Sequence, residues 1–300
     1  MNLKKISFLA LSSLFFFSCS NQEINNLPVE DTSLQALSRS ASFSEIKVAT
    51  YNTQGALDLA TKKNDLATLA DAIKALNPDV LSLQEVSSKT NLKTFVDKYL
   101  SSMKYDIVAK EEGKLAILTK LPVTGTKTEI PTDISKYLLQ VELKASDNYK
   151  FNMFAGKIPT LASRNNQPAD QDKVEKIRQF FKAYEKADRM SNYLWAGDLA
   201  GEPDAPEMQG ILDPRASGLT FHDVVTEDIG SDKDVYSYNK DNVKKRIDYL
   251  MPSGGMFQEY KKNTVQIIKD SKSKVFLKAS NHLPIIATFS TEKDITVNKK

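Results

Sequence analysis

The feature that most constrains the fold is a set of short β-type apolar runs, four of which stop on a polar residue suited to chemistry. Ile46, Val48 and Thr50 alternate with polar neighbours and lead into Tyr51-Asn52-Thr53-Gln54-Gly55. Residues 79–83 read as a buried strand ending at Gln84-Glu85. Further strand-like segments occupy 115–118, 138–143, 151–154, 193–196, 247–251 and 284–289. Helical periodicity is clear in two places. Leu66, Leu69, Ala70, Ile73 and Leu76 follow an expected N-cap at Asn64 and stop at Asn77-Pro78, and Val174, Ile177, Phe181 and Tyr184 form a second stripe. Strands so mixed, with so few helices, predict an α/β fold of two sheets packed face to face and flanked by helices, rather than a doubly wound parallel sheet. Strand ends are where rigid elements can aim side chains into one cleft, which makes Asn52, Glu85, Asp198 and His282 candidate functional residues. Each of them alone would read as a solvated turn or cap.

Composition enters at the N-terminus. The 300-residue chain is 41% hydrophobic and 26% charged, a globular balance, and holds one Cys. A single Cys excludes an intrachain disulfide framework and any Cys-rich zinc or iron–sulfur site. It is Cys19, and it follows Lys4, Lys5 and an apolar stretch over residues 6–17. That stretch is too short for a membrane span of about 20 residues and suits a signal peptide over residues 1–18. Ser18-Cys19 resembles the end of a bacterial lipobox, so Cys19 is expected to carry lipid and to anchor the protein to the outer membrane or surface of a bacterial envelope. Residues 19–44, rich in Ser, Asn, Gln and Glu, read as a tether, residues 45–290 as the domain and residues 291–300 as a polar tail. Without Lys4 and Lys5 the chain has 39 basic against 38 acidic side chains. Such a balance gives no support to a partner held by long-range attraction to nucleic acid. No period of 20–50 residues marks a solenoid or propeller. A monomer is expected.

Six segments in order carry a resemblance: Lys47-Val-Ala-Thr-Tyr-Asn-Thr-Gln-Gly55, Val80-Leu-Ser-Leu-Gln-Glu85, Gly113-Lys-Leu-Ala-Ile-Leu118, Trp195-Ala-Gly-Asp-Leu-Ala-Gly-Glu-Pro203, Arg246-Ile-Asp-Tyr249 and Ser280-Asn-His-Leu-Pro284. They resemble the endonuclease/exonuclease/phosphatase superfamily, whose deoxyribonuclease I-like fold is a four-layer α/β sandwich. The opening motif and the run from Arg189-Met190 to Asp204 look in particular like the cytolethal distending toxin B subunit. The resemblance implies a Mg²⁺ (or Mn²⁺) ion held by Glu85 with help from Asn52. It implies Asp198 as the group that orients or deprotonates the attacking water. It also implies His282, paired with Asp248, as the contact to the scissile phosphate or the proton carrier. Substrates in keeping with it are DNA, a phospholipid head group or a small phosphoester. His222 falls outside every motif and reads as structural.

Four positions depart from the superfamily pattern. Tyr51 replaces a Trp. Ala200 stands in place of a phosphate-binding Asn. Lys157 aligns with a central His or Tyr, and Asn281 replaces the Asp before the terminal His. Losing one transition-state donor costs about 10²–10³ in rate, and losing a proton-transfer group about 10²–10⁴. Lys157 and Asn281 could still bind substrate, the first as a cation and the second through its carbonyl. Two expectations stand side by side: a metal-dependent phosphodiester or phosphomonoester hydrolase, attenuated or altered, and a catalytically inactive binding module.

Overall fold

The first strand, β1 (Glu45–Asn52), shows how the sequence pattern becomes structure: Ile46 and Val48 are buried, whereas Glu45 and Lys47 are exposed. In the computed structural model the described residues are 42–57, 66–112, 114–125, 129–158, 169–187, 191–230, 234–269, 275–292 and 294. The expected signal segment, Cys19, most of the tether, Asn64, Gly113, Arg189, Met190 and most of the tail lie outside them. Helix α1 (Leu66–Leu76) buries Leu69, Ala70, Ala72, Ile73 and Leu76. It ends where Asn77 takes a left-handed φ of +44° and donates its N–H to Ile73 O, with Pro78 next. All five residues of β2 (Val80–Gln84) are buried, as an interior strand requires. Helix α2 (Lys89–Tyr99) starts at Ser88, whose Oγ accepts from Asn91 N at 3.0 Å.

Strands β3 (Asp106–Lys110), β4 (Leu115–Thr119), β5 (Val123–Gly125), β6 (Leu138–Ser146) and β7 (Tyr149–Lys157) precede helix α3 (Ala169–Ala187). Next come β8 (Tyr193–Asp198), helices α4 (Pro206–Leu212), α5 (Pro214–Ser217) and α6 (Val224–Asp228), and the hairpin of β9 (Tyr238–Lys240) and β10 (Val243–Lys245). The chain closes with β11 (Asp248–Pro252), α7 (Gly254–Phe257), β12 (Gln266–Ile267), α8 (Val275–Ala279) and β13 (Ile285–Ser290). One sheet has the order β12-β13-β1-β2-β4-β3 and the other β11-β8-β7-β6-β5. Each holds a parallel pair, β1–β2 and β7–β8, in an otherwise antiparallel sheet.

Three apolar layers make this a four-layer sandwich. Between the sheets pack Val48, Val80, Ile117, Val141, Phe151, Met153, Leu194 and Ile285. On the outer face of the first sheet, Ala49, Tyr51, Leu81 and Leu83 meet α1, α2 and Phe276 of α8. On the outer face of the second, Phe154, Tyr193 and Trp195 meet Val174, Ile177 and Phe181 of α3. The two-sheet architecture expected from the strand pattern is the one observed. Phe43 N–H donates to Ala145 O and Thr291 N–H to Ser44 O, so backbone hydrogen bonds reach slightly past residues 45–290. Among the described residues no helix is long and apolar enough to cross a membrane.

Candidate active site at the polar end of the two sheets

Side chains on one face of a strand recur every second residue, so register decides what meets at a strand end. On the inner face of the first sheet the paired rows run Val48/Val80, Thr50/Ser82 and Asn52/Gln84. On the inner face of the second they run Ala155–Ala196–Leu250 and then Lys157–Asp198–Asp248. Both faces change from apolar to polar toward the same end. Ser82 Oγ crosses from one sheet to donate to Ala196 O of the other at 3.0 Å, and it accepts from Gln84 Nε2 at 2.8 Å. Glu85 follows β2 with a left-handed φ of +59°, a conformation that non-glycine residues rarely adopt.

The cluster is held by cross-sheet bonds. Lys157 Nζ lies 2.7 Å from Glu85 Oε1 and 2.9 Å from Asp198 Oδ2. Asn52 Nδ2 donates to the same two oxygens, at 3.1 Å and 2.8 Å, while Asn52 Oδ1 accepts from Gln54 N at 2.8 Å. Asp198 Oδ1 accepts from Ala200 N at 3.0 Å. Burial works against the charge of Lys157, but Asp198 and Glu85 outweigh it and raise the ammonium above its ordinary pKa. Burial likewise pushes Glu85 up, and the charge and hydrogen bond of Lys157 reverse this and hold it below the usual carboxylate range.

Beside this cluster, His282 Nδ1 lies 2.8 Å from Asp248 Oδ2, with both side chains buried. Ser237 Oγ donates to Asp248 Oδ2 at 2.8 Å. Burial disfavours the imidazolium, yet Asp248 raises the His282 pKa overall; Asp198 adds to that rise and Lys157 opposes it. The ring of Tyr238 stands edge-on to His282 at 5.0 Å. Ser280 Oγ donates to Asn52 O and accepts from His282 N, and Asn281 N–H donates to Gln54 Oε1. No hydrogen bond to the side-chain amide of Asn281 is found among the described residues.

The structure thus brings together Asn52, Glu85, Lys157, Asp198, Asp248, Asn281 and His282. Ala200 adopts φ +57° just beyond Asp198, and Tyr51 is buried with its hydroxyl donating to Phe276 O. His222 lies outside the cluster, stacked on Phe257 at 3.8 Å. Reading strand ends does not find Ser237, Gln54 or Ser280, which orient the cluster from loops. Gln54 and Ser280 do lie in segments that carry the resemblance, two residues from Asn52 and His282, whereas Ser237 carries no signal in the sequence.

As arranged, these side chains do not fit the expected divalent ion, which wants about six oxygen ligands. Glu85 Oε1 and Asp198 Oδ2 each accept from both Lys157 and Asn52. Asn52 turns its nitrogen, not its oxygen, toward them. Ionised carboxylates only accept and the Gln54 N–H only donates, so this amide orientation is fixed by its neighbours. Among the described residues no group of three or more His, Cys, Asp or Glu could hold a metal ion.

Residues 49–263 match the Endonuclease/Exonuclease/phosphatase family. No curated protein matches the chain in sequence. Truncated TDP2 from Caenorhabditis elegans is similar in structure, with TM-score 0.61 and 22% identity over 82% of this chain and 98% of that chain. An AP endonuclease from Archaeoglobus fulgidus gives TM-score 0.56 and 20% identity over 81% of this chain and 99% of that one. The endonuclease domain of TRAS1, a telomere-specific non-LTR retrotransposon, gives TM-score 0.52 and 14% identity over 83% and 100%. At these identities the likenesses show a shared deoxyribonuclease I-like fold.

Proposed function

Because the chain belongs to the Endonuclease/Exonuclease/phosphatase family, we propose that it is a phosphate-ester hydrolase of altered and attenuated activity, monomeric and tethered by a lipid on Cys19 to a bacterial envelope. The observation that carries this reading is the His282–Asp248 pair beside Asp198 and Lys157, all delivered to one end of two packed sheets. Asp248 fixes His282 with Nδ1 toward the carboxylate, which leaves Nε2 for a phosphoryl or leaving-group oxygen. Two of the three donors of the Lys157 ammonium are used inside the cluster, and the third can reach a phosphoryl oxygen. Asp198 is the candidate for orienting water, yet its Oδ2 already accepts two bonds and its Oδ1 one. With those oxygens already engaged, and with a methyl group at Ala200 in place of a phosphate-binding amide, attenuation follows.

Enzymes of this family commonly use divalent metals, and the sequence leads to an expectation of Mg²⁺ or Mn²⁺. No step here runs through such an ion, because the arranged side chains leave it no ligand set. DNA, a lipid phosphate head group and a small phosphoester remain the substrates to test; two of the structural relatives are endonucleases. The locking of Lys157 between two carboxylates favours one second reading, a binding module that holds a phosphate compound without cleaving it.

The test is turnover of plasmid DNA, bis-p-nitrophenyl phosphate and phosphoinositide vesicles by the full chain in detergent, with and without Mg²⁺ or Mn²⁺, beside His282→Ala and Glu85→Ala. Wild-type turnover that drops about 10²-fold or more in His282→Ala supports the hydrolase. Equal background rates in all three proteins sink it and leave the binding module. For the anchor, Cys19→Ser should move the protein from the membrane pellet to the soluble fraction; wild type that is already soluble would refute lipidation.

A further inference from the structure

Most of the cleft can be described as a cation site that already contains its cation. Glu85 and Asn52 come from the first sheet and Asp198 from the second, and a divalent ion held by Glu85 and Asn52 would need the space they enclose. The ammonium of Lys157 stands in that space, within 2.9 Å of an oxygen from each sheet. Its position follows from the backbone: Lys157 is in register with Asp198 on the adjacent parallel strand, so its stem runs along the inner face toward Glu85. The second observation is Asn52, which presents its nitrogen to both carboxylates and spends its oxygen on Gln54 N. For an ion to bind, Lys157 would have to leave two ion pairs and the Asn52 amide would have to turn over, breaking three hydrogen bonds.

We propose that Lys157 is a tethered monovalent cation that replaces the divalent ion between Glu85, Asn52 and Asp198, so that this chain receives phosphate esters without binding a metal. For the identity of the ligand this rests on the hydrolase reading; the claim about metal rests on the side chains alone. The replacement has a cost in charge. Three carboxylates, Glu85, Asp198 and Asp248, then face one ammonium and one imidazole. A cleft so balanced attracts a phosphate weakly, in keeping with an attenuated site.

The experiment reads binding and not turnover, so failure of the hydrolase reading leaves it intact. Mn²⁺ is titrated into the full chain in detergent and followed by its paramagnetic resonance signal and by the melting temperature. The same titration is run on Lys157→Ala, Lys157→Met and Lys157→Ala/Glu85→Gln. Wild type should bind no Mn²⁺ at this site and should show no shift in melting temperature up to millimolar ion. Lys157→Ala should bind one ion and gain about 5 °C near saturation, and adding Glu85→Gln should abolish both effects. Lys157→Met, which keeps the stem and removes the charge, separates loss of the cation from loss of packing and should also bind. One Mn²⁺ bound by wild type and lost in a Glu85→Gln chain would overturn the proposal. So would Lys157 variants that melt cooperatively and still bind nothing.

Discussion

Asp248 and His282 are both almost wholly buried, so each depends chiefly on the other to offset the burial of its charge. Burial, the largest single influence, works against the imidazolium, yet the charge and hydrogen bond of Asp248 at 2.8 Å, helped by Asp198, together lift the His282 pKa above its ordinary value. A group with a raised folded pKa stabilises the fold fully below its unfolded value, about 6.5 for histidine, and that contribution is lost as pH climbs through the folded value. The urea midpoint of wild type should therefore fall as the pH is raised above about 6.5. Asp248→Asn should flatten this slope while costing about 1–3 kcal/mol near pH 6. An equally steep slope in Asp248→Asn would show that the pair is not its source. The neighbourhood of this pair was only partly legible in the sequence. His282 and Asp248 stand in two short motifs, whereas Ser237, which donates to Asp248, lies in a loop where one serine looks like any other.

The approach of β7 to β8 decides where Lys157 and Asp198 end up. A Cβ on Gly197 would sit 1.8 Å from Gly156 O, and one on Gly156 would sit 2.1 Å from Trp195 Nε1. Both contacts are with groups that cannot step aside, one backbone and one fully buried indole. Gly197→Ala should therefore cost about 3 kcal/mol or more, since overpacking that moves backbone lies at the upper end of such effects. Gly210→Ala is the control: nothing lies within 4 Å of that Cβ, and in helix α4 it should be neutral or stabilise by up to about 1 kcal/mol. Urea denaturation of the two variants separates a steric requirement at Gly197 from a general intolerance of alanine. Apart from β3, β5 and the short β12, the strands of both sheets could be read from apolar alternation or continuous apolar runs, because burial itself writes that pattern. Helix α2 buries only Leu92, Phe95 and Val96, too narrow a stripe to stand out among its lysines and threonines. The β9–β10 hairpin has no buried face at all. Its signal lies in the turn, where Asp241 and Asn242 both have positive φ, a hairpin geometry that these residue types favour.

Across the whole molecule, the site exists only because two sheets share one polar end. Asn52, Glu85 and His282 come with one sheet, and Lys157, Asp198 and Asp248 with the other. The order of motifs along the chain identifies these residues but not their partners, because cross-sheet contacts are set by how the sheets pack. Lys157 reads from the sequence as a free cation for phosphate, and in the fold it is the counter-charge that lets Glu85 and Asp198 face each other. Lys157→Ala should accordingly lower stability through repulsion between the carboxylates it leaves. The loss should be about 1–3 kcal/mol, below the 3–5 kcal/mol of a fully buried broken pair, because Lys157 and Glu85 are each about a third exposed. If charge is the cause, Lys157→Ala/Glu85→Gln should recover more than half of that loss, since a neutral amide ends the repulsion and still accepts from Asn52. Urea melts of both single variants and the double variant give the coupling directly. A double variant in which the two losses simply add would instead assign the contribution of Lys157 to the packing of its alkyl stem.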